Sequence, residues 1–264
     1  MEKPKVVILC GGIGTRLKEE TEFRPKPLVR IGNMPILWHI MKIYSHFGFN
    51  DFILCLGYKG ELIKEYFINN EWMNSDFILN LRDKSIKLVG NNKPLDWNVT
   101  FVDTGLETET GARIKKIEKY IDGDFFLATY GDGVGNIDIN RLIEFHKKNG
   151  KTATLTGLKP VSKYGILNLD KKNNELIIDF EEKPVMEEWI SGGFFVFDKK
   201  IFDYLTEDVN CKLEREPFER LAKDKEFTVY KHDGFWACMD TFKEAEWLKK
   251  LWSSGKAPWK VWKD

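Results

Sequence analysis

The sequence predicts an α/β fold with a mostly parallel central sheet, built as one domain over residues 1–264. Three observations carry that expectation. Short apolar runs alternate with segments of helical period, as in repeated βαβ units. The first apolar run, Val6-Val7-Ile8-Leu9, opens directly into Cys10-Gly11-Gly12-Ile13-Gly14-Thr15-Arg16-Leu17, which reads as a buried strand ending in a glycine-rich loop. No repeat, low-complexity tract or Pro/Ser-rich linker divides the chain, and its length suffices for one substantial core.

In the loop, glycines let backbone N–H groups turn toward an anion and let it approach closely. Arg16, and Lys26 in Pro25-Lys26-Pro27, supply the fixed positive charge a polyphosphate needs. The loop does not have the Gly-Lys-Ser/Thr ending of a Walker loop. A dinucleotide fingerprint would place a third glycine where Leu17 stands, and no acidic residue closes a strand at the required distance. The glycines alone would also suit an ordinary turn. Arg16 and Lys26 favour phosphate binding.

The remaining elements follow in order. Ile36, Leu37, Ile40, Met41, Ile43 and Tyr44 recur at helical spacing, and that helix ends near Gly48. Asp51 to Leu56 is a buried strand, followed by a helix marked by Leu62, Ile63, Tyr66 and Phe67. The segment from Trp72 to Asp96 breaks the rhythm and predicts a hairpin or irregular excursion around Gly90-Asn91-Asn92. Asn98 to Asp103 returns to the sheet, and a helix is expected from Thr110-Gly111 through Tyr120. Phe125 to Tyr130 is a central strand ending in Gly131-Asp132-Gly133. Asp138 or Asn140 caps the next helix, and Thr152 to Thr156 is strand-like. Ile166 to Leu169 and Leu176 to Phe180 read as an antiparallel hairpin. Ser191 to Phe197 and Phe227 to Tyr230 are strands, with helical pieces near Ile201 to Leu205 and Phe218 to Lys223. A last helix covers roughly Lys243 to Trp252.

Composition excludes several function classes. Forty-one basic and 41 acidic residues cancel, so no global basic field recruits nucleic acid or an acidic membrane. Trp252, Trp259 and Trp262 therefore read as aromatic anchors, on the body or on another subunit of a homo-oligomer, rather than as stacking platforms for bases. No apolar run approaches a membrane span, and the amino terminus has no signal-peptide core. Cys10, Cys55, Cys211 and Cys238 are scattered without metal or redox spacing, as expected of reduced thiols in the cytoplasm.

Two carboxylates stand out. Asp132 lies between glycines at the end of an apolar strand, where the ligand crevice of an open α/β sheet is found; a backbone-bonding turn is its simpler reading. Asp240 also follows an apolar run, and it could cap the last helix. Together they suit Mg²⁺ on a nucleoside triphosphate, which takes only one or two protein carboxylates. Lys183 after two glutamates reads first as a solvated charge, and Gly192-Gly193 as either a close-approach point for a sugar or a strand bulge. His39, His46, His146 and His232 form no metal-ligand pair.

Leu9-Cys10-Gly11-Gly12-Ile13-Gly14-Thr15-Arg16-Leu17 with Arg24-Pro25-Lys26-Pro27 resembles the signature of sugar-phosphate nucleotidyltransferases. Pro35 to Lys42, Leu56 to Gly60, Val102 to Gly105, Thr129 to Val134, Gly192 to Val196, Gly234 to Trp236, Met239 to Thr241 and Gly255 to Lys260 narrow it to the glucose-1-phosphate cytidylyltransferase branch. The resemblance spans essentially the whole chain. It implies a Rossmann-like nucleotidyltransferase fold with an antiparallel sugar-binding portion, and transfer of CMP from CTP to a sugar 1-phosphate with Mg²⁺. By the same resemblance Arg16, Lys26 and Asp132 are catalytic, and Asp132 and Asp240 hold the metal. Leu9, Gly11, Gly12, Gly14, Thr15, Arg16, Lys26, Thr108, Arg113 and Gly131 would bind the nucleotide. Tyr164, Gly165, Glu182, Lys183, Gly192 and Gly193 would bind the sugar phosphate. The chain departs from the pattern at Cys10, usually alanine, at Ala112, commonly glycine, and along Trp72 to Asp96.

Overall fold

The computed structural model describes residues 3–73, 75–89 and 95–263. Seven strands form the central sheet: β1 (Val6–Leu9), β2 (Asp51–Leu56), β3 (Asn98–Asp103), β4 (Phe125–Tyr130), β5 (Ala153–Leu158), β6 (Ile190–Asp198) and β7 (Phe227–Lys231). They lie in the order β7-β5-β6-β4-β1-β2-β3. Neighbours run parallel except at β6, which is antiparallel to both β4 and β5.

Alternation along the strands divides the core into two layers, because successive side chains point to opposite faces. Val6, Ile8, Phe52, Leu54 and Phe194 pack on one face, with α1 (Ile36–His46), α2 (Gly60–Met73), α4 (Ile139–Asn149) and α6 (Phe242–Ser253). Val7, Leu9, Ile53, Phe126 and Phe195 pack on the other, with α3 (Thr110–Lys115) and α5 (Glu216–Lys223). Both faces of the inner strands are covered. That is why they read as continuous apolar runs rather than alternating ones.

The chain moves outward from β1 to β2 and β3, then crosses back to place β4 on the opposite side of β1. Connections therefore diverge at the carboxyl ends of β1 and β4, which opens a crevice there. The glycine loop leaves one of those ends and Gly131-Asp132 the other.

Some elements differ from expectation. The helix beginning at Thr110 stops at Lys115, and a separate 3₁₀ turn covers Glu118–Tyr120. The excursion is a hairpin of Asp76–Leu79 against Ile86–Val89, but its turn is at 80–85, where Asn80 and Asp83 side chains accept from the amides of Arg82 and Ser85, both at 2.9 Å. Gly90-Asn91-Asn92, expected at its centre, lie outside the described residues. Asp138 caps α4, accepting from the Arg141 amide at 3.1 Å. The cap of α6 is Thr241, not Asp240: Thr241 and Glu244 form a reciprocal capping box that leaves the Asp240 carboxylate free to point elsewhere.

Candidate active site

At the end of β1, Gly11 approaches a buried guanidinium. Arg113, 4% exposed, donates from Nη1 to the Leu56 carbonyl at 3.0 Å, Thr104 Oγ1 at 2.6 Å and the Gly105 carbonyl at 2.8 Å. Its Nη2 donates to the carbonyls of Gly11 at 3.1 Å and Leu106 at 3.2 Å. A Cβ on Gly11 would lie 2.2 Å from the guanidinium carbon, so only glycine fits there. Burial pulls the Arg113 pKa down, yet a guanidinium stays charged at neutral pH. The positive centre thus ties together the ends of β1, β2 and β3. Past it, Gly14 takes a left-handed φ of +70° and starts the 3₁₀ turn Thr15–Leu17, which presents Arg16 to solvent.

Lys26 is the centre of the second cluster. Pro25 and Pro27 restrict the backbone around it, and Lys26 opens a short 3₁₀ turn. Its Nζ lies 2.6 Å from Asp132 Oδ2 and 2.5 Å from Asp240 Oδ1. Arg16 Nη1 contacts the other oxygen of Asp240 at 3.0 Å. The Lys26 side chain is only 12% exposed, whereas that of Arg16 is 72% exposed. Burial by itself would lower the Lys26 pKa, but the Asp132 and Asp240 carboxylates outweigh it and the net shift is upward. For Asp240 burial would raise the pKa, and Lys26 and Arg16 outweigh it, holding the carboxyl below its usual value.

The sequence separation of the two aspartates is bridged by strand pairing. Gly133–Gly135 runs antiparallel to Trp236–Cys238, with Cys238 opposite Gly133, and the Met239 amide donates to the Asp132 carbonyl at 2.9 Å. This register sets Asp132 and Asp240 side by side. Cys238 Sγ joins them, all three ligand atoms lying within 4.8 Å of one another. Burial and the neighbouring carboxylates push its thiol pKa up.

A cavity of about 290 Å³ runs from the glycine loop to these carboxylates. It gathers Leu9, Gly11, Gly12, Gly14, Thr15 and Arg16 from the first loop, Lys26 from the second, Thr108 and Arg113 beyond β3, and Gly131 and Asp132 beyond β4. Asp240 joins through its contacts with Arg16 and Lys26. The six residues matched to a sugar phosphate do not line the cavity. Gly192 and Gly193 lie close by, at the start of β6, where Gly193 abuts the ring of the cavity-lining Tyr130. Tyr164, Gly165, Glu182 and Lys183 flank the separate hairpin Ile166–Leu169/Ile177–Glu181, and Lys183 pairs with Glu182 at 3.1 Å. Sequence reasoning missed Thr110 and Tyr130 as wall residues, and Glu214 as the carboxylate that accepts from both. Tyr130 read as the last residue of a strand and Thr110 as a helix start, and Glu214 was not singled out.

The nucleotidyl transferase family model matches residues 5–243. The chain belongs to the nucleotidyl transferase family. Among its curated relatives, a probable glucose-1-phosphate cytidylyltransferase of Bacillus subtilis (strain 168) is 47% identical over 258 residues, covering 98% of this chain and 100% of the relative. The glucose-1-phosphate cytidylyltransferase of Salmonella typhi is 46% identical over 260 residues, covering 98% and 99%. The fold matches the crystal structure of HddC from Yersinia pseudotuberculosis with a TM-score of 0.68 at 23% identity, over 95% of this chain and 100% of that one. Within the family frame, the cavity's position at the β1/β4 divergence is where such a fold binds its ligand.

Proposed function

We propose that the chain transfers CMP from CTP to α-D-glucose 1-phosphate, releasing pyrophosphate and CDP-glucose. The observation that carries this reading is the Arg16–Asp240–Lys26–Asp132 cluster at the mouth of the glycine-loop cavity. A phosphate oxygen of the sugar attacks the α-phosphorus of CTP in line with the leaving oxygen. A new O–P bond forms while the bond from the α-phosphorus to the bridging oxygen breaks, and pyrophosphate carries away the electron pair. Phosphate is already a competent nucleophile, so positioning and charge neutralisation dominate. Lys26 and Arg16 are the groups that offset charge growing on pyrophosphate. Both are held by carboxylates, so an incoming triphosphate exchanges their partners and frees oxygen ligands.

Those oxygens fit Mg²⁺. Asp132 and Asp240 already surround one positive centre, the Lys26 ammonium, and are hard donors of the kind this ion takes. Bound there, Mg²⁺ would supply further neutralisation of the polyphosphate. We assign the glycine loop with Thr108, Arg113 and Gly131 to the nucleotide, with Arg113 acting by shaping the loop. Gly192 and Gly193, and more loosely Tyr164, Gly165, Glu182 and Lys183, are assigned to the sugar phosphate. Residues 1–264 are taken as one catalytic domain. A cytoplasmic setting is supported by four free cysteines and by the absence, among the described residues, of a helix long and apolar enough to cross a membrane.

Pyrophosphate release, assayed with each of the four nucleoside triphosphates against a panel of sugar 1-phosphates, tests the substrates. CTP with α-D-glucose 1-phosphate is expected to exceed every other pair by about tenfold or more. Equal turnover with another sugar phosphate would replace the acceptor assignment.

A further inference from the structure

Arg16, Lys26, Glu109 and Asp132 carry the charges of the cavity wall, and Thr108, Thr110 and Tyr130 add hydroxyl-bearing side chains to it. Arg113 also borders it, but its terminal nitrogens are turned onto carbonyls and the Thr104 hydroxyl. Arg16 and Lys26 suit the triphosphate, which leaves the wall that carries Thr108, Thr110 and Tyr130 for the nucleoside.

Two of those hydroxyls share one carboxylate. Tyr130 Oη donates to Glu214 Oε1 through a short contact, and Thr110 Oγ1 donates to Glu214 Oε2 at 2.7 Å. An ionised carboxylate accepts and cannot donate, so both hydroxyl protons must point to Glu214. Thr110 Oγ1 also accepts the Leu213 amide at 3.0 Å, which fixes its remaining orientation. What each hydroxyl has left for a ligand is a lone pair. The wall therefore presents acceptors.

The Tyr130 ring is held in place as well. Gly193, at a φ of +72°, leaves room for it: a Cβ there would lie 2.4 Å from a ring carbon. Phe195 packs against the ring edge-on at 5.6 Å between centroids.

We propose that Glu214 is a specificity-determining positioning residue: by taking both hydroxyl protons it makes Tyr130 and Thr110 obligate acceptors for a base that offers an amino group. Cytosine offers an amino donor at its 4-position, where uracil offers a carbonyl acceptor. At that 4-position uracil would set a lone pair against a lone pair. This inference rests on the cytidylyl-transfer reading and adds to it the means by which the base is chosen.

The test is the ratio of kcat/KM for CTP to that for UTP, at saturating sugar phosphate, in wild type, Glu214→Gln and Tyr130→Phe. A glutamine amide donates to one of the two hydroxyls and turns that hydroxyl's proton toward the cavity, where it suits uracil. The ratio is expected to fall by about tenfold or more in Glu214→Gln, and to fall also in Tyr130→Phe, which removes an acceptor. A merely structural role lowers both nucleotides together and leaves the ratio alone. A ratio within about twofold of wild type in both variants overturns the role of Glu214 while leaving cytidylyl transfer standing. A wild type that takes CTP and UTP equally overturns the cytidylyl reading and this inference with it.

Discussion

Lys26 satisfies two carboxylates at once, and its removal leaves two half-buried negative charges facing each other. Lys26→Ala, Arg16→Ala and Asp132→Asn are each expected to lower kcat by about 10²-fold or more, measured as pyrophosphate release. Near wild-type turnover in any of them contradicts the assignment. Arg113 belongs to a different class, because its hydrogen bonds hold the loop and not a ligand. Arg113→Lys cannot satisfy the same five oxygens and should cost about 3 kcal/mol or more in urea unfolding. Gly11→Ala should destabilise in the same direction, since its Cβ collides with that guanidinium. Arg16, Lys26, Asp132 and Asp240 were legible in the sequence because each stands within two positions of a glycine, a proline or a strand end. Glu214 carries no such mark. Its role comes from bonds across 84 positions to Tyr130 and 104 to Thr110, which no local pattern encodes.

At the scale of elements, α1 carries a buried histidine that makes stability depend on pH. His39 Nε2 faces the Ile31 carbonyl at 3.0 Å, and Trp259 Nε1 donates toward Nδ1 at 3.4 Å. Protonating Nδ1 would set two donors against each other. Burial lowers the His39 pKa from 6.5 to about 4. The unfolded chain therefore binds this proton first as pH falls. The contribution is fully present above about pH 6.5 and is lost as pH falls toward the folded value, amounting to about 2 kcal/mol at pH 5. Urea unfolding at pH 7 and pH 5 checks this: His39→Gln, which keeps both partners without titrating, should show the smaller loss. An identical loss in the variant would remove His39 from the account. The element pattern itself was legible where burial is continuous, as in β1, β2 and β4. It failed at α6, where Asp240 and Thr241 are both competent caps and only the reciprocal bond with Glu244 separates them. In the first hairpin the two strands form as expected and only the turn differs, lying at 80–85 and ahead of the glycine-asparagine run.

Over the whole molecule, one topological feature places the site: β4 lies across β1 from β2, and both loops that leave this divergence carry site residues. The parallel sheet and its crevice could be read from the alternation of runs, but the antiparallel insertion of β6 between β4 and β5 could not. The two projecting hairpins are apolar yet open to solvent, with Phe77, Ile78, Leu79, Leu167, Ile178 and Phe180 all exposed. A two-stranded hairpin of this kind is marginal alone, and on that ground we propose that the expected homo-oligomer assembles through these hairpins. Sedimentation should give a mass above the 30.9 kDa of one chain, reduced by Phe77→Asp or Phe180→Asp. A monomeric wild type would discard the proposal. The central claim is direct transfer of CMP between two ligands held at this divergence. CTP labelled at the α-phosphorus, incubated with α-D-glucose 1-phosphate and Mg²⁺, tests it: the label should move into CDP-glucose, one pyrophosphate appearing per product and none of the label remaining on the protein. Label retained on the protein, or no CDP-glucose formed, would contradict it.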